Sequence, residues 1–386
     1  MPMKIAIIGG GPAGLFFARL MKLRRPSDDI RVFEQNPVNA TYGFGVTLAG
    51  PARNRLKQVD EELHDRLAAE MWFNDEQEIV LQRERIRLKY AAKGGAIPRL
   101  ALLAVLEKAC ADVGITTQHD ARISEIGAFD EFDLVVGADG ANSAVRGLNP
   151  DAYGIQSRML GNHFIWYGVR KPLRPNALVF REHKGGYYVG HYYAYSTTMS
   201  TFVAECDAKT WDECGLDRMT DAQRKALVEE IFAEELQGEP LVENKSSWRK
   251  FNVIVTERWT HRNTVLIGDA LRVAHFSIGS GTRLAMDDAQ ALSDAFAEAG
   301  DDMPQALARF VAVRKPTRDL FTEATVRSFE WYENFRAAMR TDAVSFTKAF
   351  LTRTGRVDDE RLKEYVPGFY QQYLAPRAAI AGSNVG

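Results

Sequence analysis

Cysteine is scarce. Cys110, Cys206 and Cys214 are the three in 386 residues, and none stands at CxxC or zinc-ligand spacing. A disulfide framework and a structural zinc site are both excluded on that pattern. An excess of charge of one sign is also missing: 49 Lys+Arg against 51 Asp+Glu leave a formal net charge of -2. That removes the electrostatic case for nucleic acid or an anionic membrane as partner. Long apolar runs are absent too. Leu100 to Leu106 is far too short to span a bilayer, and the opening MPMKIAIIGG has neither the apolar core nor the cleavage pattern of a signal peptide. No HxxxH pair or carboxylate cluster offers a metal site, and neither a repeat nor a low-complexity linker interrupts the chain. The expectation is a protein of a reducing cytoplasm, monomer or homodimer, with a sizeable core and two intimately packed domains.

What is present is an α/β pattern. Ile5 to Ile8 is a short apolar run typical of a buried parallel strand, and glycines follow at once. A helix over Leu15 to Leu23 ends at Pro26, and Ile30 to Phe33 gives a second strand. Pro51 to Glu70 reads as one charged amphipathic helix, Leu100 to Val113 as another, and Asp133 to Val136 as a buried strand. The middle is different. Phe164 to Val169, Ala177 to Arg181, Tyr187 to Tyr195 and Ser200 to Cys206 are β-rich and separated by turn residues, which predicts an antiparallel sheet. Helix follows over Asp221 to Glu235, strand over Thr264 to Ile267, and mostly helix from Arg283 to about Tyr373. The sheet is therefore expected as an insertion into the α/β unit.

Gly9-Gly10-Gly11-Pro12-Ala13-Gly14 fits G-x-G-x-x-G between a strand and a helix. Gly9 suits the tight turn, Gly11 lets the backbone approach a pyrophosphate at the helix N-terminus, and Gly14 allows close helix–strand packing. Glu34, at the end of the second strand, is placed to accept from a ribose hydroxyl. The motif predicts dinucleotide binding and leaves FAD and NAD both open. Two later stretches bear on that choice. One is Asp133-Leu-Val-Val-Gly-Ala-Asp139-Gly140-Ala-Asn142-Ser143-Ala-Val-Arg146; the other is Val265-Leu-Ile-Gly268-Asp269-Ala270, with Gly279-Ser280-Gly281-Thr282 opening a helix. Asp269 there suits a ribityl hydroxyl, and the helix start suits a flavin and its phosphates.

Together the three segments resemble the single-component, FAD-dependent aromatic hydroxylases of the p-hydroxybenzoate hydroxylase-like group. A narrower likeness runs through Gly43-Phe-Gly45-Val46, Phe164-Ile-Trp166-Tyr-Gly168, His191-x-Tyr193-x-Tyr195, Ser200-Thr-Phe202-Val-Ala-Glu205-Cys206 and His275-Phe-Ser-Ile-Gly279-Ser-Gly281-Thr. It points to the salicyloyl-CoA and anthraniloyl-CoA hydroxylases and the violacein-pathway hydroxylase. The broad family usually reads GDAAH and then a proline pair, where this chain has Gly268-Asp-Ala-Leu271-Arg272 and His275-Phe276. The chain also ends before the reductase-like domain of anthraniloyl-CoA enzymes would fit.

The resemblance implies a Rossmann-like FAD-binding domain in two parts (1–155 and 256–295), an inserted antiparallel β-sheet substrate domain (156–255) and a helical C-terminus (296–386). It implies non-covalent FAD, NADH or NADPH as co-substrate bound transiently at the surface, and O2. The reaction implied is hydroxylation of an activated aromatic ring through a flavin C4a-hydroperoxide. The narrower likeness favours an aromatic acyl-CoA as substrate. An indolic compound or a free amino- or hydroxy-aromatic acid is the alternative, with an FAD-dependent dehydrogenase or reductase, or a flavin-binding sensor, on the same fold behind it. Expected at the cofactor are Gly9, Gly11, Pro12, Ala13, Gly14, Glu34, Gly45, Arg99, Asp139, Gly268, Asp269, Gly279, Gly281 and Thr282. His275 is the catalytic candidate, placed to orient the substrate's hydroxyl or amine or to withdraw its proton. Phe276, His191, Tyr193 and Trp166 are the substrate-wall candidates. Arg170, Lys171 and Arg174 suit either a CoA phosphate or a solvated turn.

Overall fold

The computed structural model describes residues 2–40, 43–48, 50–123 and 125–378. Two sheets organise it. The first has six strands in the order Thr260–His261, Thr264–Leu266, Leu134–Gly137, Lys4–Ile8, Asp29–Phe33, Thr117–Gln118. Its inner strands pair in parallel, Ile5 against Ile30 on one side and Leu134 on the other. Ile5, Ala6 and Ile7 are fully buried because the sheet is covered on both faces, which is why the strand reads as an unbroken apolar run. The helices Pro12–Arg24, Arg99–Ala111 and Gly281–Ala299 pack on it and share its core.

The second sheet has nine strands and is mostly antiparallel. Its order is Leu241–Val242, Ile155–Val169, Ser200–Cys206, Gly186–Ala194, Asn176–His183, Trp72–Leu81, Glu84–Pro98, Gly45–Leu48, with Arg249–Thr256 also on Ile155–Val169. The four strands expected from the middle of the chain are there: Ile155–Val169 and Asn176–His183 are longer than expected, Gly186–Ala194 is shifted by one residue and Ser200–Cys206 is as expected. No element was expected over residues 72–98, yet a long hairpin fills them and joins Asn176–His183 in parallel register, Ile79 beside Leu178. The sheet is thus built from two separated stretches of chain, not from the middle segment alone.

The single helix expected over Pro51 to Glu70 is two, Gly50–Val59 and Glu61–Ala69. Asp60 breaks it. Its carboxylate caps the second helix by accepting from the Leu63 N–H, and it takes a buried ion pair from Arg19 at 2.6 Å. The faces of the large sheet have different fates. Ile165, Tyr167, Tyr188, Tyr192, Phe202 and Ala204 pack in a core under the helices of residues 208–236. On the other face, Ile79, Leu178, Phe180 and Val189 pack against the C-terminal helices through Phe335, Phe346 and Phe350. The rest of that second face carries Trp166, His191 and Tyr193, with the Trp166 ring packed on Phe276 and the Tyr193 hydroxyl donating to the Gly45 carbonyl. Residues 379–386 of the expected helical region lie outside those described.

Candidate active site

A cleft with a cavity volume of about 310 Å³ runs along the C-terminal ends of the parallel strands. Gly9, Gly11, Pro12, Ala13, Glu34, Arg99, Asp139, Asp269, Gly281 and Thr282 all line it. Ligand and cofactor sites run to about 300–1,000 Å³, and this space falls within that range. Its position outside the strand ends is the general ligand site of open α/β sheets.

Two helix starts that flank Gly268 are open to an anion. The helices Pro12–Arg24 and Gly281–Ala299 start without a side-chain cap and without an acid in the first turn. Ser280, at the cap position of the second, turns its hydroxyl back to the Ile278 carbonyl instead. First-turn N–H groups are therefore left for a phosphate. A Cβ added at Gly11 or Gly281 would meet nothing within 4 Å, whereas one at Gly14 would reach the Gly9 carbonyl oxygen at 2.1 Å. Gly11 faces the open cleft and Gly14 holds helix against turn. Gly9 takes a φ of +112°, which favours glycine.

Glu34 accepts from the Gly10 N–H at 2.8 Å and from both the backbone and side-chain nitrogens of Asn36, at 2.9 and 2.6 Å. A carboxylate has about four acceptor sites, so one is left toward the cleft for a ribose hydroxyl. Asp139 accepts from the Ala144 and Val145 N–H groups at 2.7 and 3.1 Å, fixing the turn it lines, and burial raises its pKa. Asp269 is also pushed upward by burial, against the opposing charges of Arg318 and Arg99. Arg99 is pushed down by burial, with Asp269 and Glu34 acting against the shift. Arg99 and three carboxylates, Glu34, Asp139 and Asp269, thus share the cleft wall. This donor and acceptor set fits FAD.

Residues not singled out from sequence hold the two halves of the cleft together. Arg146 donates to the carbonyls of Asp269 and Ala270, at 3.3 and 2.7 Å, which ties the GADGANSAVR segment to the GDA segment. Asp288 accepts from the Gly268 N–H at 3.0 Å and pairs with Arg314 at 2.7 Å, while Arg318 donates to the Gly268 carbonyl at 3.1 Å. Arg146 was legible as part of its motif. Asp288, Arg314 and Arg318 sit in helices where no local signal separates them from surface charge. Gly268, with φ +62°, shapes the turn and is not part of the cleft wall. Gly279, with φ +56°, is likewise a turn residue, and its carbonyl meets the Thr47 hydroxyl at 3.5 Å.

Gly45 lies outside the cleft wall. A Cβ there would reach the Tyr195 ring at 2.5 Å, its N–H donates to Thr201 Oγ1 at 3.0 Å, and its carbonyl accepts from the Tyr193 hydroxyl at 2.8 Å. It pins the Gly45–Leu48 strand onto the large sheet. Beside it, Gly43, Phe44, Tyr195, Asn244 and Lys245 line a second space that shares Asn36 and Arg99 with the cleft. The dinucleotide cleft therefore opens sideways onto the large sheet.

The aromatic candidates cluster. Phe276 lies 5.7 Å from Trp166 and 4.7 Å from Phe164, ring centre to ring centre, and Phe251 lies 6.1 Å from Phe276. His191 and Tyr193 are 5.4 Å apart on the same sheet face. His275 does not line the cleft. It is buried, stacked on Phe276 at 4.2 Å and edge-on to Phe251 at 4.5 Å. Its Nδ1 accepts from the Ser277 N–H at 3.2 Å, so the neutral ring keeps its proton on Nε2. Burial lowers its pKa to about 3, and that of His191 to about 4. The basic turn is elsewhere: Lys171 donates to Gln237 at 2.9 Å and Arg174 stacks over Trp72 at 3.9 Å.

Comparison with known proteins agrees with this geometry. A family model described as an FAD binding domain matches residues 115–325. Salicyloyl-CoA 5-hydroxylase from a Streptomyces species is 34% identical over 362 residues, covering 91% of this chain and 70% of that protein. Protodeoxyviolaceinate monooxygenase from Chromobacterium violaceum is 33% identical over 359 residues, covering 91% and 94%. The solved structure of 2-methyl-3-hydroxypyridine-5-carboxylic acid oxygenase (Y270A mutant) superposes with a TM-score of 0.72 at 17% identity, over 92% of this chain and 96% of that one. Among the described residues no helix is long and apolar enough to cross a membrane.

Proposed function

The chain belongs to the FAD-binding-domain family of aromatic hydroxylases and is an FAD-dependent aromatic monooxygenase; from that premise we propose that it hydroxylates an aromatic acyl thioester, of the salicyloyl or anthraniloyl type, with NADH or NADPH as reductant. The observation that carries this reading is the second space beside the dinucleotide cleft, which shares Asn36 and Arg99 with it and is walled by Phe44 and Tyr195. Substrate would lie on the aromatic face of the large sheet beside Trp166, His191, Tyr193 and Phe276. The 34% identity to salicyloyl-CoA 5-hydroxylase supports the thioester.

Bound FAD supplies reduction by the nicotinamide nucleotide, activation of O2 and transfer of one oxygen atom to the ring. The protein's residues do the rest. The Gly9–Gly14 turn and the Gly281–Thr282 helix start hold phosphates, Glu34 holds a ribose hydroxyl and Asp269 a ribityl hydroxyl. The aromatic rings orient the substrate ring and exclude water, which keeps reactive oxygen from escaping as hydrogen peroxide. His275 contributes a fixed Nε2–H at the edge of that layer, and the Gly279 turn next to it sets the distance between ring and cofactor. The family likeness supports transient binding of the nicotinamide nucleotide at the surface. The workplace is a reducing cytoplasm.

A second reading, an indolic substrate, is supported by the near-complete length match to protodeoxyviolaceinate monooxygenase. One experiment separates the two. Aromatic acids, their CoA thioesters and indoles are each scored for stimulated NAD(P)H oxidation and for hydroxylated product. Product from the thioesters alone supports the first reading; product from indoles alone replaces it.

A further inference from the structure

The helix Met303–Glu333 ends on an acid, where the free carbonyls of the last turn disfavour negative charge. Glu333 is held there by a neighbouring strand. Its carboxylate accepts from the Gly161 N–H at 2.7 Å and the Asn162 N–H at 3.0 Å, which ties the helix end to the strand Ile155–Val169. Both donors are backbone groups, and neither carries charge. A Cβ added at Gly161 would stand 2.8 Å from Glu333 Oε2, so glycine is what lets the carboxylate in. The Asn162 side chain completes the tie. Its amide donates to the Tyr332 carbonyl at 2.9 Å and to Glu205 Oε1 at 2.8 Å. One asparagine thus joins a helix end, a strand and two carboxyl groups.

Glu205 is buried on the strand Ser200–Cys206, opposite Phe164 and Val189, and so shares the sheet face of the aromatic layer. Burial pushes its carboxyl up to about 8; the Asn162 amide opposes that rise and the Glu333 charge adds to it. The other titratable groups on the surrounding elements are Tyr187 and His191 on the strand Gly186–Ala194 and Tyr332 on the helix, while Cys206 and His163 point to the opposite sheet face. The cations of the adjoining helices are engaged elsewhere: Arg336 with Asp207 at 2.6 Å, Arg353 with the carbonyls of Phe350 and Ser277. Protonated, Glu205 sits beside the Glu333 anion without repulsion. Ionised, it puts two negative charges on one asparagine in a dry setting. What adjoins the tie gives it weight: Phe329 and Tyr332, in the last turns of the same helix, pack against His275 at 6.1 and 6.5 Å between ring centres.

We propose that Glu205, Asn162 and Glu333 form a proton-dependent latch, in which protonated Glu205 positions the end of the long helix over the aromatic layer and ionised Glu205 releases it. The proton goes to water. Glu333, the half-buried member, is the one that swings out to be hydrated. Phe329 and Tyr332 then lose their hold on His275, and water reaches the layer. The latch stands on these contacts alone. Its effect on turnover, more hydrogen peroxide and less hydroxylated product at alkaline pH, rests on the reading of the aromatic face as the substrate site.

The test is hydrogen–deuterium exchange of the FAD-loaded protein over residues 328–335, from about pH 6.5 to about pH 9.5, with rates corrected for the intrinsic rise of amide exchange with pH. In the wild type, protection of that segment falls about ten- to a hundredfold across the range, the worth of one hydrogen bond to a charged group. Glu205→Gln, a neutral isostere, keeps its protection throughout. No fall in the wild type, or the same fall in the variant, overturns the latch. Should Glu205→Gln fail to fold, Glu333→Gln takes its place. It removes the charge that the two backbone N–H groups hold, so protection is already low at the acid end and the pH step shrinks; a wild-type profile in that variant overturns the proposal. Failure of the substrate-site reading looks different. The exchange step is then present while product formed per NAD(P)H stays level across it, so the latch stands and the aromatic face is not what shields the substrate.

Discussion

His275 offers two chemistries of very different size, and the structure decides between them. A general base in the hydroxylation step is worth about 10²–10⁴ in rate. Burial among Phe251, Phe276, Phe329 and Tyr332 instead lowers its pKa to about 3, so the ring stays neutral at any pH where a flavoenzyme works. A base that weak withdraws little proton density. What remains is one neutral Nε2–H, worth about 0.5–1.5 kcal/mol or roughly two- to twelvefold. His275→Phe, which keeps the aromatic packing, should therefore retain FAD and NAD(P)H oxidation and lower the fraction of turnovers giving product by roughly that factor, with the deficit appearing as hydrogen peroxide. Single-turnover mixing of the reduced variant with O2 and substrate measures the step directly. The same burial makes a stability prediction. The folded pKa lies below the ordinary 6.5, so the contribution is complete above pH 6.5 and is lost as pH falls, levelling off only near 3. At pH 5 the wild type should have lost about 2 kcal/mol relative to His275→Phe, counted from their difference at pH 7.5. A hundredfold or greater loss in hydroxylation, or a limb near pH 6–7 in the wild-type step that vanishes in the variant, would show that the base reading is right and the packing argument wrong.

Asp269→Ala should weaken FAD retention by about tenfold to a hundredfold, the value of one charge-assisted hydrogen bond of roughly 1.5–3 kcal/mol, with the thermal midpoint of the apoprotein little changed; unaltered FAD affinity in a folded variant removes Asp269 from the site. Gly11→Val and Gly14→Val should part company: the first side chain enters open cleft and blocks FAD while the apoprotein stays folded, whereas the second meets the Gly9 carbonyl and costs stability as well. Equal melting of the two apoproteins would contradict that. FAD should be released into the supernatant on acid precipitation; yellow colour left in the pellet would reveal a covalent link.

Sequence and structure agree where the signal is local. The first strand, the glycine turn and Glu34 are close in the chain, and both the apolar run and the spacing follow from a buried parallel strand feeding a helix. The hairpin over residues 72–98 was illegible for an equally physical reason. Its inward positions, Ile79, Leu81, Ile86 and Leu88, alternate with exposed or charged ones such as Glu78, Arg85 and Arg87, and the pattern is shared with a charged surface segment. Gly45 shows the limit of motif reasoning. A glycine near a cofactor segment suggests close approach to the ligand, but here the close neighbour is the Tyr195 ring. Asp288 and Arg318 brace the Gly268 turn from sequence distances of 20 and 50 residues, which no window along the chain reports.

The late arrival of the second cleft wall has a consequence for how the chain comes into being. Gly9 to Glu34 emerge first, yet Asp269, Gly281 and Thr282 must be made before the cleft they share is closed. The parallel register of Ile79 with Leu178 likewise waits on a partner about a hundred residues downstream. Contacts of that range are slow to form and are not rewarded until the loop between them is closed. A nascent chain of some 150 residues is therefore an unfinished half, with the partner of its hairpin edge and one wall of the cleft still to be made. Closure of the cofactor cleft is thus set to coincide with the end of folding.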